Sequence, residues 1–330
     1  MKKLSVIMTI ALAFVLVGCS NTTQDKAGSD KSVTISNYEN KKGSTEFSKV
    51  ETTFEKIPEK IFVNTKPAAE ILLHLGLQDR IVGVGANFGQ GDETVAKEYA
   101  KLPKVSTDYV GKELALSVNP DLIYGRGTLF SEEEWGNGSV ESLKEMSVPS
   151  FILGSSIQGG TFESIYDDIE RTGTLFGVEN KAKEFSTELK EKEAAIKKTI
   201  GTHDKADFAY LHMSTPDEIM VYSASKETFF QSVFEMLNLN NIFKDVEGEV
   251  SLESLIKADP EYLIVPDWSA GGSDGVSDQD LIDSLMKDPR LQEMQAIKNK
   301  KVYGLDYNAM FGYGYQSLEG VEQLAKKIYG

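Results

Sequence analysis

Eight short apolar runs, separated by stretches with helical periodicity, constrain this chain more than any other feature. In the first half they are Lys60–Asn64, Ile81–Gly85, Asp121–Tyr124 and Ser150–Leu153. In the second half they are Phe208–Met213, Ile219–Tyr222, Tyr262–Val265 and Lys301–Leu305. Helical stretches such as Pro67–Leu75 and Glu227–Leu237 fall between them. Strands that alternate with helices imply an α/β fold, with parallel sheets covered by helices.

Near the midpoint the pattern changes. Residues 178–200 are charged and helix-prone, with Ala182, Phe185, Leu189, Ala195 and Ile196 mostly three or four apart on one side. One long helix is expected here, joining a lobe of residues 33–177 to a lobe of residues 201–330. The same pattern also fits a surface helix within one lobe. An internal repeat supports two similar lobes. Glu113-Leu-Ala-Leu-Ser-Val-Asn-Pro-Asp-Leu-Ile-Tyr parallels Glu253-Ser-Leu-Ile-Lys-Ala-Asp-Pro-Glu-Tyr-Leu-Ile. Each copy reads as a short helix, a stop at Asn-Pro or Asp-Pro, and a strand. The stop explains itself. A glutamate at the same place in both helices does not.

The amino end is of another kind. Lys2 and Lys3 precede an apolar run from Leu4 to Val17, too short to span a bilayer as a helix but suited to a secretory signal. The run closes on Leu16-Val17-Gly18-Cys19 and turns polar at once. Cys19 is the only cysteine in the chain. It stands where a lipoprotein signal places the residue that receives lipid, so residues 1–18 read as a lipoprotein signal peptide. Residues 19–32, polar and poor in anything to bury, read as a flexible tether. The formal net charge is −16, and losing the two signal lysines makes it −18. That balance repels nucleic acid and anionic lipid alike, leaving the anchor as the expected membrane contact. The remaining length, about 310 residues, also favours two lobes over one core.

From Lys56 to Gly85 the chain runs KIPEKIFVNTKPAAEILLHLGLQDRIVGVG, followed later by NPDLIY, the midpoint helix, DPEYLIV, and LQEMQAIKNKKVYGLDY over Leu291–Tyr307. In this order these segments resemble the class III periplasmic binding proteins, the ABC-importer receptors for iron-siderophores, haem and cobalamin. The resemblance implies two Rossmann-like lobes with parallel-rich sheets, joined by one long helix and closing only slightly. It also implies a monomeric extracytoplasmic receptor that performs no chemistry, and whose partners are a permease with its ATPase. In that family a surface glutamate on each lobe engages permease arginines, and the matching positions are Glu113 and Glu253. Read without the family, a glutamate in a first helical turn is simply favoured by the helix dipole.

Ligand contacts in α/β folds come from loops at the carboxyl ends of strands. That rule nominates Asn87, Phe88, Arg126 and Ser155 in the first lobe, and His212, Trp268 and Tyr307 in the second. Trp135, in a Gly-rich stretch beyond Arg126, joins them. The aromatic run Tyr303, Tyr307, Phe311, Tyr313 and Tyr315, with Gly312 and Gly314, suggests a loop suited to a flat or greasy ligand. Gly83-Val-Gly85-Ala-Asn-Phe88 begins like a dinucleotide turn but has Phe88 in place of the third glycine. There is no His-Glu-x-x-His or P-loop motif, and the three histidines are scattered, so neither an enzyme nor a histidine metal cage is expected. No intrinsic cofactor is implied. A ferric siderophore is the first expectation for cargo, with Arg126 and Lys66 as anion contacts. Haem, with His212, Met213 or a tyrosine as axial ligand, is second, and a corrinoid third. A lipid-anchored enzyme or an adhesin remains the alternative of another class.

Overall fold

The structure, a computed structural model, describes residues 32–269 and 275–330. The signal segment, Cys19 and the tether up to residue 31 lie outside the described residues. Eleven strands are seen among those described: β1 Val33–Glu39, β2 Ser48–Phe54, β3 Ile61–Val63, β4 Ile81–Val84, β5 Leu122–Arg126, β6 Ser150–Leu153, β7 Ala206–Leu211, β8 Val221–Tyr222, β9 Leu239–Asn241, β10 Tyr262–Asp267 and β11 Val302–Asp306.

The first lobe is built on an all-parallel sheet in the order β4-β3-β5-β6. The second has β11-β10-β7 in parallel, with β9 parallel and β8 antiparallel at the far side of β7. Their central strands are apolar without alternation because helices cover both faces: Ile61, Phe62 and Val63 are fully buried, as are Leu263, Ile264 and Val265. This is the expected two-lobe α/β architecture.

The repeat is real in three dimensions. Helix Lys112–Ser117 and helix Leu252–Ala258 each end before a left-handed residue, Asn119 at φ 51° and Asp259 at φ 46°. A proline follows, then β5 or β10. Asn and Asp tolerate this conformation better than other side-chain-bearing residues. The helix Glu179–Ile200 buries Ala182, Phe185, Leu189, Ile196 and Ile200 and leaves its charged faces in water. Phe185 stacks on His74 of the first lobe at 4.0 Å and meets Tyr315 of the second edge-on at 4.9 Å. The helix therefore packs on both lobes.

One element is unexpected and one local expectation is corrected. The hairpin β1–β2 was not foreseen. Its strands are mostly polar, and it is fixed by side chains: Asn37 donates to the Ser150 carbonyl and accepts from the Ile152 amide, bonding to β6. Tyr307–Phe311, expected to be loop, is a short helix whose Asp306 cap accepts from the Asn308 amide. Only residues 312–316 after it are irregular.

Candidate functional site

Because the central strands of both sheets are parallel, they end on the faces that look toward each other, and the loops there form the interlobe cleft. From the first lobe come Phe88, after β4, and Tyr109. From the second come Trp268, after β10, and Tyr307, after β11. Phe88 meets Tyr109 at 5.1 Å and Tyr307 at 6.3 Å, both edge-on, and Tyr307 lies 4.9 Å from Trp268. The Tyr109 and Tyr307 hydroxyls approach across the cleft to 3.5 Å. With Ser214 and Val276 these four rings line a cavity of about 380 Å³. Trp135, 45% exposed, extends the wall outward from Tyr109 at 6.2 Å.

Arg126 ends β5 beside this wall. Its backbone is held by Asn64, whose amide side chain accepts from the Arg126 N–H at 2.8 Å and donates to its carbonyl at 3.0 Å. Asn64 comes so close that a Cβ at Gly125, φ 141°, would collide with it. The guanidinium donates to Thr128 Oγ1 at 2.6 Å and to the Phe311 carbonyl at 3.1 Å, and it lies 4.6 Å over the Tyr313 ring. Burial pushes the Tyr307 phenol up to about 12, while the guanidinium pulls the other way. Two of the five N–H donors of Arg126 are thus spent within the protein, leaving three.

His212 follows β7, against Trp268 at 5.3 Å, Phe311 at 5.1 Å and Tyr222 at 5.7 Å. Burial lowers its pKa, so the imidazole is held neutral. Its Nδ1 finds no hydrogen-bond partner among the described residues. Asn87 and Ser155 stand at strand ends too, and both are hydrogen-bonded within the protein. Asn87 donates to the Ser106 carbonyl and accepts from the Tyr99 hydroxyl. Ser155, 1% exposed, gives its hydroxyl to the Tyr313 carbonyl at 2.7 Å and its amide to Asp168. The structure gathers Phe88, Arg126, Trp135, His212, Trp268 and Tyr307 around the cleft, and holds Asn87 and Ser155 at the strand ends by bonds within the protein. Tyr109 was missed. It lies well beyond the end of β4, and only its place in the loop before Gly111 hinted at it.

Behind the aromatic wall the lobes are joined by buried polar groups. Gln316 donates to Glu70 at 2.5 Å, and Glu70 also accepts from the Asp92 amide at 2.9 Å. Tyr315 donates to Asp92 at 2.6 Å, and His74 is within 2.8 Å of the same oxygen. Asn308 donates to the Phe88 carbonyl at 2.5 Å, and Asp306 accepts from the Gln90 amide at 2.9 Å. Lys66 is not in the cleft: it is buried, with its ammonium donating to the Gly89 carbonyl at 2.7 Å. A second groove, of about 450 Å³, lies under the hairpin between Val50, Thr52, Val140 and Pro149. It belongs to one lobe, away from the strand ends.

Glu113 and Glu253 are both exposed in first helical turns, outside the cleft. Ser251 caps its helix by accepting from the Ser254 amide, whereas the equivalent Gly111 offers no side chain. Among the described residues no helix is long and apolar enough to cross a membrane, and no cluster of three or more His, Cys, Asp or Glu is positioned to hold a metal.

Comparisons with known proteins agree with this geometry. The family model described as periplasmic binding protein matches residues 61–309. An uncharacterized ABC transporter substrate-binding lipoprotein of Bacillus subtilis, YvrC, is 26% identical over 96% of this chain and 94% of its own. The iron(3+)-hydroxamate-binding protein YxeB of the same organism is 26% identical over 71% of each chain. The Fe(3+)-citrate-binding protein YfmC, also of B. subtilis, is 25% identical over 99% and 98%. A periplasmic binding protein from Veillonella parvula shares the fold with a TM-score of 0.78 at 20% identity, over 91% of this chain and 99% of that one.

Proposed function

The chain belongs to the periplasmic binding protein family, and on that footing we propose that it is the lipid-anchored, extracytoplasmic receptor of an ABC importer whose cargo is a ferric siderophore. The observation that carries the cargo is the cleft itself. Four aromatic rings from two lobes enclose a half-open space beside one guanidinium with donors to spare. Aromatic faces cover the organic shell of a chelate, and the remaining Arg126 N–H groups meet its metal-bound oxygens.

In this reading Cys19 carries the lipid and residues 19–32 tether the lobes above the membrane. Glu113 and Glu253 are then the permease contacts, one per lobe. Their support is equivalent placement: each is exposed, in a first helical turn, ahead of the same left-handed stop. Residues 33–177 and 201–330 are the two lobes that the permease would read together, with 178–200 as their strut.

Trp135 and Trp268 flank the cleft, so an iron chelate seated there should quench intrinsic fluorescence. Titrating the purified mature chain with ferric hydroxamates and catecholates should give saturable quenching in the micromolar range or tighter, about −8 kcal/mol. Haem binding with a sharp Soret shift, while every ferric chelate fails, would refute the siderophore assignment and turn attention to His212. Binding of cobalamin alone would leave the receptor standing and change the cargo.

A further inference from the structure

The relatives named for ferric hydroxamate and ferric citrate resemble this chain about equally, 26% and 25%, and their cargoes differ in charge. The residues around the cleft bear on that difference. On the positive side stands Arg126, already committed to Thr128, Phe311 and the Tyr313 ring. Lys66 contributes little outward, since its ammonium points back to the Gly89 carbonyl and sits in the field of Glu70 and Asp306.

On the negative side, β10 and β11 each finish in a carboxylate, Asp267 and Asp306, which are partners in the strand register. They stand one residue before Trp268 and Tyr307, the two second-lobe rings of the wall. Asp306 is held by the Gln90 and Asn308 amides, and Asp267 by the amide and hydroxyl of Ser269. Neither is in an ion pair among the described residues. Glu227 adds a third carboxylate nearby, accepting from the Tyr313 hydroxyl at 2.9 Å. Aromatic rings such as these attract cations over their faces and pack on neutral organic groups, but give an anion no such attraction.

Granting the ferric-chelate reading above, we propose that the Asp267–Asp306 carboxylate pair selects cargo by charge, admitting ferric chelates of zero or positive net charge and disfavouring polyanionic ones. Three hydroxamates balance one ferric ion and give a neutral complex, or a cation where the chain carries a free amine. Three catecholates leave a trianion. A trianion approaching these rings comes toward the Asp267 and Asp306 carboxylates behind them, the latter partly offset by the buried Lys66 ammonium, and toward the single Arg126 guanidinium, in a chain whose net charge is −16.

The test is fluorescence titration of the mature chain with three probes: a neutral ferric trihydroxamate, a cationic ferric trihydroxamate with a free amine, and a ferric tricatecholate. The two trihydroxamates should bind at least about tenfold more tightly than the tricatecholate, since several unfavourable charge pairs act at once. Added sodium chloride screens repulsion, so it should strengthen tricatecholate binding to the wild-type protein and leave the neutral probe unchanged. Asp267→Asn keeps an oxygen for the Ser269 amide while removing one charge. It should improve tricatecholate affinity by roughly three- to tenfold without altering the neutral probe. A tricatecholate that binds as tightly as the trihydroxamates, or that weakens with salt, overturns charge selection and leaves the ferric-chelate receptor intact. An Asp267→Asn protein with wild-type selectivity does the same. Failure of all three probes overturns both readings.

Discussion

Replacing Glu70 with glutamine should stabilise this protein at neutral pH, and the gain should grow as the pH rises. Glu70 sits in the helix Lys66–His74 at the junction of the lobes, 1% exposed. Burial pushes its carboxyl from an ordinary 4.5 up to about 7, against the opposing pull of the Asp92 amide, the Gln316 side chain and Lys66. A carboxyl raised in this way is favoured by folding in its protonated form. Its contribution is fully present below pH 4.5 and is lost as the pH climbs through about 7. At 1.36 kcal/mol per pH unit the whole loss is about 3 kcal/mol, and Glu70→Gln, which never ionises, escapes it. The replacement also suits its surroundings: one oxygen still accepts from the Asp92 amide, and Gln316 can turn its amide over. The Gln316 Oε1 that is buried without a partner would then accept from the new side chain. Urea unfolding of the ligand-free mature chain at pH 5, 6, 7 and 8, followed by tryptophan fluorescence, measures the difference. The two proteins should agree within about 1 kcal/mol at pH 5, and the variant should lead by about 1–3 kcal/mol at pH 8. Asp306, which burial raises to about 6, slopes in the same direction in both proteins and cancels from the comparison. A variant less stable than wild type at pH 8, or a gap that does not widen with pH, would show that the ionised carboxylate is wanted and refute the argument.

Three further outcomes are expected. Cys19→Ala should leave an unprocessed precursor that takes up no fatty-acid label in cells, and persistent labelling would end the lipoprotein reading. The double variant Glu113→Ala, Glu253→Ala should bind a ferric trihydroxamate as wild type does yet fail to support uptake at matched expression; normal uptake would remove both residues from docking. Ser155→Ala loses a buried bond to the Tyr313 carbonyl and should cost about 1–3 kcal/mol of stability with no change in chelate affinity, whereas a large affinity loss at full stability would make Ser155 a ligand contact.

The α/β alternation was legible because the central strands carry unbroken apolar runs such as Ile61–Val63 and Leu263–Val265, a signal that burial on both faces produces. The repeat was legible because Asn119-Pro120 and Asp259-Pro260 mark left-handed stops that few other residues tolerate. The hairpin was not, since β1 and β2 carry little apolar periodicity and owe their place to Asn37 bonding to β6. The helix Tyr307–Phe311 was hidden by glycines that act only after it. At the site, the strand-end rule found the right loops but could not say which polar atoms remain free. Asn87 and Ser155 obey it as well as Arg126 does, and the bonds they make to Ser106 and Tyr313 are invisible in the sequence. Tyr109 escaped because the rule looks directly beyond a strand, and this ring returns to the cleft from further along the chain. Sequence pattern fixes the direction of a backbone; pairing across the cleft depends on contacts between residues two hundred positions apart.

Those long-range contacts also bear on how the lobes can move. Opening the cleft widely would break Glu70–Gln316, Asp92–Tyr315, Arg126–Phe311, Ser155–Tyr313 and Phe88–Asn308 together, each at least partly buried. A typical hydrogen bond contributes about 1 kcal/mol net, but a buried polar group left unpaired costs about 1–3 kcal/mol, so the set amounts to several kcal/mol against separation. The apolar core is shared as well, with Phe162 of the first lobe near Phe229 and Phe185 of the long helix against Tyr315. Two lobes fastened behind the cleft in this way resist swinging apart.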